Sequence, residues 1–174
     1  GGFAQPSNSS TSCDACELGK FAPEQSASCT RCPAGWAGNA SNNAGCSECS
    51  VGQYRSNMSL ADCTACPKGF HQDAEGQASC LPCIPGKANN LPGQPECQVC
   101  PQHTFARKQE AENCTLCAPG KMTTSNSSAL CLNCPAGWKA SALGAGQGCA
   151  ECTKDRYTQK PGLLNCSECP QGYV

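Results

Sequence analysis

The chemistry open to this chain is set by twenty cysteines, all in ten Cys-x-x-Cys pairs: Cys13/Cys16, Cys29/Cys32, Cys46/Cys49, Cys63/Cys66, Cys80/Cys83, Cys97/Cys100, Cys114/Cys117, Cys131/Cys134, Cys149/Cys152 and Cys166/Cys169. Three chemistries use such pairs. Two neighbouring pairs fit the spacing of a four-thiolate zinc site, which belongs in a reducing compartment. Here the only histidines, His71 and His103, lie outside the pairs. A redox-active pair belongs at a helix N-terminus in a βαβ setting, normally once per domain, and ten copies with no helical pattern argue against it. The third reading is a disulfide scaffold, with the cysteines structural and neither metal nor cofactor required.

No catalytic constellation accompanies them. His71 and His103 sit in different repeats, and every cysteine is claimed by the scaffold. Glu110, Glu112, Asp62, Asp73 and Glu75 do not repeat at a calcium-loop spacing. The abundant Ser and Thr sit in polar loops, where they read as solvated turn residues or O-glycan acceptors. Twelve basic and thirteen acidic residues give a net charge of −1, without the basic surface that nucleic-acid binding needs. No apolar stretch approaches a membrane span. The expectation is no enzyme, no nucleic-acid partner and no membrane span in this segment.

The elements that must position the cysteines follow from their period. The first cysteines of successive pairs, from Cys13 to Cys166, recur at a spacing that never departs by more than one position from a constant value. A fixed period decides architecture before other signals do. Each unit reads Cys-x-x-Gly, an aromatic, then a polar loop. The glycine slot holds Gly19, Gly35, Gly52, Gly69, Gly86, Gly120, Gly137 and Gly172, with His103 and Asp155 as substitutes. A glycine there predicts a turn with φ > 0, which His and Asp tolerate better than most residues. A second alternation lies over the first. Pro33, Pro67, Pro101, Pro135 and Pro170 follow every other pair, and Trp36, Phe70, Trp138 and Tyr173 come directly after the slot in those units. Phe21, Tyr54, Met122 and Tyr157 come two residues after it in the others, Phe105 breaks the alternation, and Lys87-Ala88 lacks an aromatic. A one-residue shift on an extended segment changes the face presented, so alternate units are expected to present their aromatics to different sides.

Leu, Ile, Val and Phe number 18 of 174 residues, and Gly and Pro 31. That is too little apolar surface for a conventional core and too many breakers for paired helices. The expected fold is small and disulfide-rich: an elongated tandem array of short two-stranded β modules, much of it irregular, with little or no helix. As domains, residues 1–174 form about ten 17-residue repeats, or five 34-residue double units. The two ends cut the repeat at one phase, Gly2-Phe3 and Gly172-Tyr173 occupying equivalent positions ten periods apart, and this predicts an excerpt of a longer array.

Bonds within one Cys-x-x-Cys are strained, so the array should link neighbouring pairs. Two patterns do this: second cysteine to the first of the next pair, or crossed pairing within each 34-residue unit. Either places the chain outside the cytosol. Asn-x-Ser/Thr sequons agree, at Asn8, Asn39, Asn57 and Asn126 in mid-loop and at Asn113 and Asn165, where the middle residue is a cysteine and disulfide formation competes with glycan transfer.

The string Cys-Pro-Ala-Gly-Trp, a polar loop and Cys-Ser-Glu-Cys, from Cys32 to Cys49 and nearly again from Cys134 to Cys152, resembles the ephrin-receptor-like cysteine-rich repeat. The chain is similar, more loosely, to EGF-like and tumour-necrosis-factor-receptor-like disulfide modules. The latter likeness implies sequential pairing: Cys16–Cys29, Cys32–Cys46, Cys49–Cys63, Cys66–Cys80, Cys83–Cys97, Cys100–Cys114, Cys117–Cys131, Cys134–Cys149 and Cys152–Cys166. The resemblance implies an extracellular module and neither kinase activity nor ephrin binding. Two functions stay open. One is a glycosylated rod serving as stalk, spacer or filament component, with copies of itself, other surface glycoproteins and N- or O-linked glycans as partners. The other is a receptor or adhesion ectodomain that binds a protein ligand.

Overall fold

The residue after each glycine slot donates its N–H to the carbonyl of the residue that follows the cysteine, as in Gln53 to Ser50 (3.0 Å), Trp36 to Pro33 (3.1 Å) and Lys121 to Ala118 (3.1 Å). This closes a four-residue turn with the slot third, the position at which a type II turn requires φ > 0. In the computed structural model, which describes residues 3–5, 14–24, 26–38, 45–58, 61–141 and 148–172, the slot glycines have φ from 76° at Gly19 to 90° at Gly172. His103 (67°) and Asp155 (65°) hold the same conformation. The backbone turn survives the change of side chain.

Two strand residues leave each turn and pair antiparallel with the residues inside the next Cys-x-x-Cys. Gln53–Tyr54 faces Thr64–Ala65, Phe70–His71 faces Leu81–Pro82, and a longer hairpin sets Trp138–Ser141 against Gly148–Glu151. The second cysteine then donates to the slot carbonyl, Cys66 to Gly52 and Cys134 to Gly120 both at 2.8 Å. Among the described residues there are ten such two-stranded sheets and no helix. They fall into two compact units of five hairpins each, one spanning Gly1–Pro82 with Leu91–Glu96, the other Cys83–Asn90 with Cys97–Val174.

Isolated two-residue hairpins are not stable in water, and two devices hold these. One is covalent: nine disulfides join the second cysteine of a pair to the first of the next, from Cys16–Cys29 through Cys152–Cys166, with sequence separations of 13 to 15 and Cα–Cα distances of 5.6 to 5.9 Å. Each loop of this length removes about 3 kcal/mol of unfolded-chain entropy in the loop-closure account. Cys169 is a free, half-buried thiol, and Cys13 lies outside the described residues. The other device is packing. Cys32, Cys49, Cys66, Cys83, Cys100 and Cys134 are wholly buried, so within each unit the sulfurs do the work of aliphatic side chains.

Candidate functional site: the seam between repeats

The residue six places after the second cysteine is, in most repeats, the other half of the interior, with Gly38 and Ala140 half-buried at the same position. Ala22, Arg55, Gln72, Asn89, Ala106, Thr123 and Thr158 occupy that position and are all buried. Their chemistry differs while their backbone role recurs. Within each unit their carbonyls accept the N–H of the glycine slot one repeat earlier: Gly35 to Arg55 (2.9 Å), Gly52 to Gln72 (2.7 Å), Gly86 to Ala106 (2.8 Å) and Gly137 to Thr158 (3.1 Å). Buried backbone groups must be paired, and a seam at fixed offsets meets that demand at these four slots.

A second line of bonds completes the seam. The residue four before a cysteine donates to the carbonyl of a second cysteine in the preceding repeat: Gly76 to Cys49, Gly93 to Cys66, Ser127 to Cys100 and Gly162 to Cys134 at 2.8 Å, and Glu110 to Cys83 at 3.0 Å. All five donors have φ between 60° and 81°. This second left-handed position was missed in the sequence, although Gly76, Gly93 and Gly162 marked it. Its carbonyl then packs on a glycine slot of the repeat before last. A Cβ on Gly35 would lie 2.6 Å from the Gly76 carbonyl carbon, on Gly52 2.7 Å from that of Gly93, and on Gly86 2.6 Å from that of Ser127.

Arg55 is the one charged side chain among the interior residues. It is fully buried, and its Nη1 donates to the carbonyls of Cys32 and Pro33 (both 3.0 Å) and of Trp36, while Nη2 reaches Met58 at 3.4 Å. Burial pulls the guanidinium below its ordinary pKa, and the nearby Asp62 carboxylate acts the other way. Carbonyl dipoles thus supply most of the solvation that burial removes. Neutral neighbours do the same job on a smaller scale. Gln72 donates to Ser79 (2.8 Å) and accepts from Ala74 (3.1 Å), and the Thr158 hydroxyl accepts from the Gly137 N–H (2.7 Å) and donates to Trp138 (3.2 Å).

The remaining sequence-selected residues do not converge. His71 Nδ1 faces the Leu81 carbonyl at 3.1 Å, and His103 lies against Gly148 with Nδ1 buried and unpartnered. Asp62, Asp73, Glu75, Glu110 and Glu112 are exposed. Glu17, whose carboxylate accepts from Lys20 at 2.8 Å, has its pKa lowered by that bond and by the lysine charge. The sequon residues Asn57, Asn113, Asn126 and Asn165 are exposed, while Asn8 and Asn39 lie outside the described residues. Among the described residues no nucleophile, base and orienting acid come together. The aromatics Phe21, Trp36, Tyr54, Phe70, Phe105, Trp138 and Tyr157 are half-buried on the hairpins, in keeping with cover for the seam.

Among known families, the model described as tyrosine-protein kinase ephrin type A/B receptor-like matches residues 38–73 and, overlapping them, 56–93. No curated protein matches the chain.

Proposed function

From the tandem ephrin-receptor-like cysteine-rich repeats that the chain carries over residues 38–93, we propose that it is an extracellular structural protein: a glycosylated, disulfide-stapled rod that serves as stalk, spacer or filament component and performs no catalysis. The observation that carries this reading is the seam. The same backbone bonds recur in both units, Gly35 to Arg55 matching Gly137 to Thr158 and Gly76 to Cys49 matching Gly162 to Cys134, and each repeat therefore offers its successor the surface it received. Arrays of this kind grow by nearest-neighbour contacts. Disulfides of this number persist in oxidising compartments, which supports secretion or display at a cell surface.

The test is shape together with oxidation state. Small-angle scattering should give a radius of gyration well above the roughly 16 Å of a 174-residue globule, and a value near that figure overturns the rod. Intact-mass analysis with and without alkylation should find at most two thiols and no zinc. Glycopeptide mapping should find glycans at Asn8, Asn39, Asn57 and Asn126 and lower occupancy at Asn113 and Asn165. Bare asparagines at the first four would remove the sequon argument for secretion.

A further inference from the structure

One repeat departs from the pattern twice. Between Cys100 and Cys117, His103 takes the glycine slot, and Phe105 stands two residues after the slot where Trp36, Phe70 and Trp138 stand one after it. In the structure Phe105 forms part of a cleft of about 380 Å³ with Leu116 and Leu130, and Arg107 and Lys121 also line it. Leu116 and Leu130 are each 54% exposed. An equivalent cleft, one repeat earlier along the chain, holds about 210 Å³ and puts Ala88, Asn90, Val99 and Asn113 where the first has Phe105, Arg107, Leu116 and Leu130, with Glu112 in its wall. The two clefts share one backbone and differ in side chains: the later one is more apolar and cationic, the earlier one smaller and without a cation.

We propose that the Phe105–Leu116–Leu130 cleft is a docking site for an extended segment of a partner protein that carries apolar side chains flanked by carboxylates. This goes beyond the structural reading and does not rest on it. Exposed Leu116 and Leu130 and half-buried Phe105 line one concave surface together with Arg107 and Lys121, so a segment that offers both apolar side chains and carboxylates matches both kinds of lining. Arg107 and Lys121 make no ion pair among the described residues, so the charge they present is available to a ligand, and complementary charge sets partner choice and association rate. A sulfated glycan would satisfy the cations and leave the apolar residues uncovered, which is why the occupant is assigned as peptide.

The test is a titration of the full, oxidised, ¹⁵N-labelled chain with the blocked tetrapeptides Asp-Leu-Phe-Asp and Lys-Leu-Phe-Lys, followed by amide shifts. The acidic peptide should move residues 105–107, 116–121 and 130–131 saturably and leave residues 88–90, 98 and 99 unmoved. It should bind about three- to tenfold more tightly than the basic one, the range two exposed ion pairs supply. Arg107→Glu with Lys121→Glu should reverse that preference, and Leu116→Glu should abolish binding while mass analysis still counts nine disulfides. Absent shifts, equal binding of the two peptides, equal shifts at both clefts, or a heparin-derived oligosaccharide whose binding survives Leu116→Glu would each overturn the proposal.

Discussion

Two kinds of glycine slot occur in this chain. At Gly35, Gly52, Gly86 and Gly120 a carbonyl from the loop of a later repeat lies where a side chain would begin, whereas for Gly137 and Gly172 the matching loop position falls beyond residue 174, and among the described residues a Cβ there would meet nothing within 4 Å. All six have φ between 76° and 90°. The conformation is therefore common to both kinds, and only the first adds a steric demand. His103 and Asp155 hold the same left-handed φ, which costs Asp and His a modest amount, while an occupied Cβ position of the kind at Gly52 admits no side chain without a shift of the facing backbone. The His103 N–H donates to the Thr123 hydroxyl at 2.8 Å, and the Gly137 N–H is shared between the Thr158 hydroxyl (2.7 Å) and the Thr158 carbonyl (3.1 Å), so a side chain accepts from the slot in both.

The largest expected effect tests the steric half of this comparison. Gly52→Ala must combine left-handed strain with displacement of the Gly93 carbonyl and should cost about 3 kcal/mol. Gly137→Ala carries the strain alone and should cost about 1 kcal/mol. Hydrogen exchange at the Gly93 amide, which donates to Cys66 at 2.8 Å, reports the first, and exchange at the Gly137 amide reports the second. Equal losses would mean that the close approach is relieved by small backbone shifts and that conformation alone selects glycine.

Those contacts also mark the limit of what the residues disclose in advance. The period, the turn glycine and the two-stranded module are legible because each depends on a residue type at a fixed place. The position six after the second cysteine is not. Arg55, Gln72, Ala106 and Thr158 share burial and a backbone carbonyl role, and no side-chain property unites them. An arginine in a polar loop reads as solvated surface until the carbonyls of Cys32, Pro33 and Trp36 are seen around it. The second left-handed position was readable in part, since Gly76, Gly93 and Gly162 recur four residues before a cysteine, but Glu110 and Ser127 in the same place hide the rule. Sequential disulfides came from a likeness to other modules, because Cys-x-x-Cys spacing permits crossed pairing equally well.

Arg55 and Thr158 sharpen the comparison from the other side of the seam. Arg55→Met keeps the volume and strips the buried carbonyls of a charged donor; with hydrogen bonds to charged groups worth roughly 1.5–3 kcal/mol each and partial relaxation, a loss of about 3 kcal/mol is expected. Thr158→Val removes one neutral hydroxyl and should cost about 1 kcal/mol. Exchange at the Gly35 amide, bonded to the Arg55 carbonyl at 2.9 Å, reads the arginine, and exchange at Gly137 reads the threonine. A Thr158→Val loss as large as that of Arg55→Met would show that the open slot depends on its hydroxyl more than on its backbone bond.

Asp155→Gly should have the smallest effect. Asp155 is exposed and sits at φ 65°, so glycine relieves left-handed strain of about 1 kcal/mol. The same substitution frees the unfolded chain, which destabilises by about 0.5–1 kcal/mol. The two terms oppose each other, and the net change should stay within about 0.5 kcal/mol. The Cys169 amide donates to the Asp155 carbonyl at 2.9 Å, so its exchange rate is the direct reporter. A stabilisation above about 1 kcal/mol would show that a non-glycine slot stores real strain. A loss of that size would show that the carboxylate makes a contribution the turn does not require. Either result would separate conformation from contact at this slot.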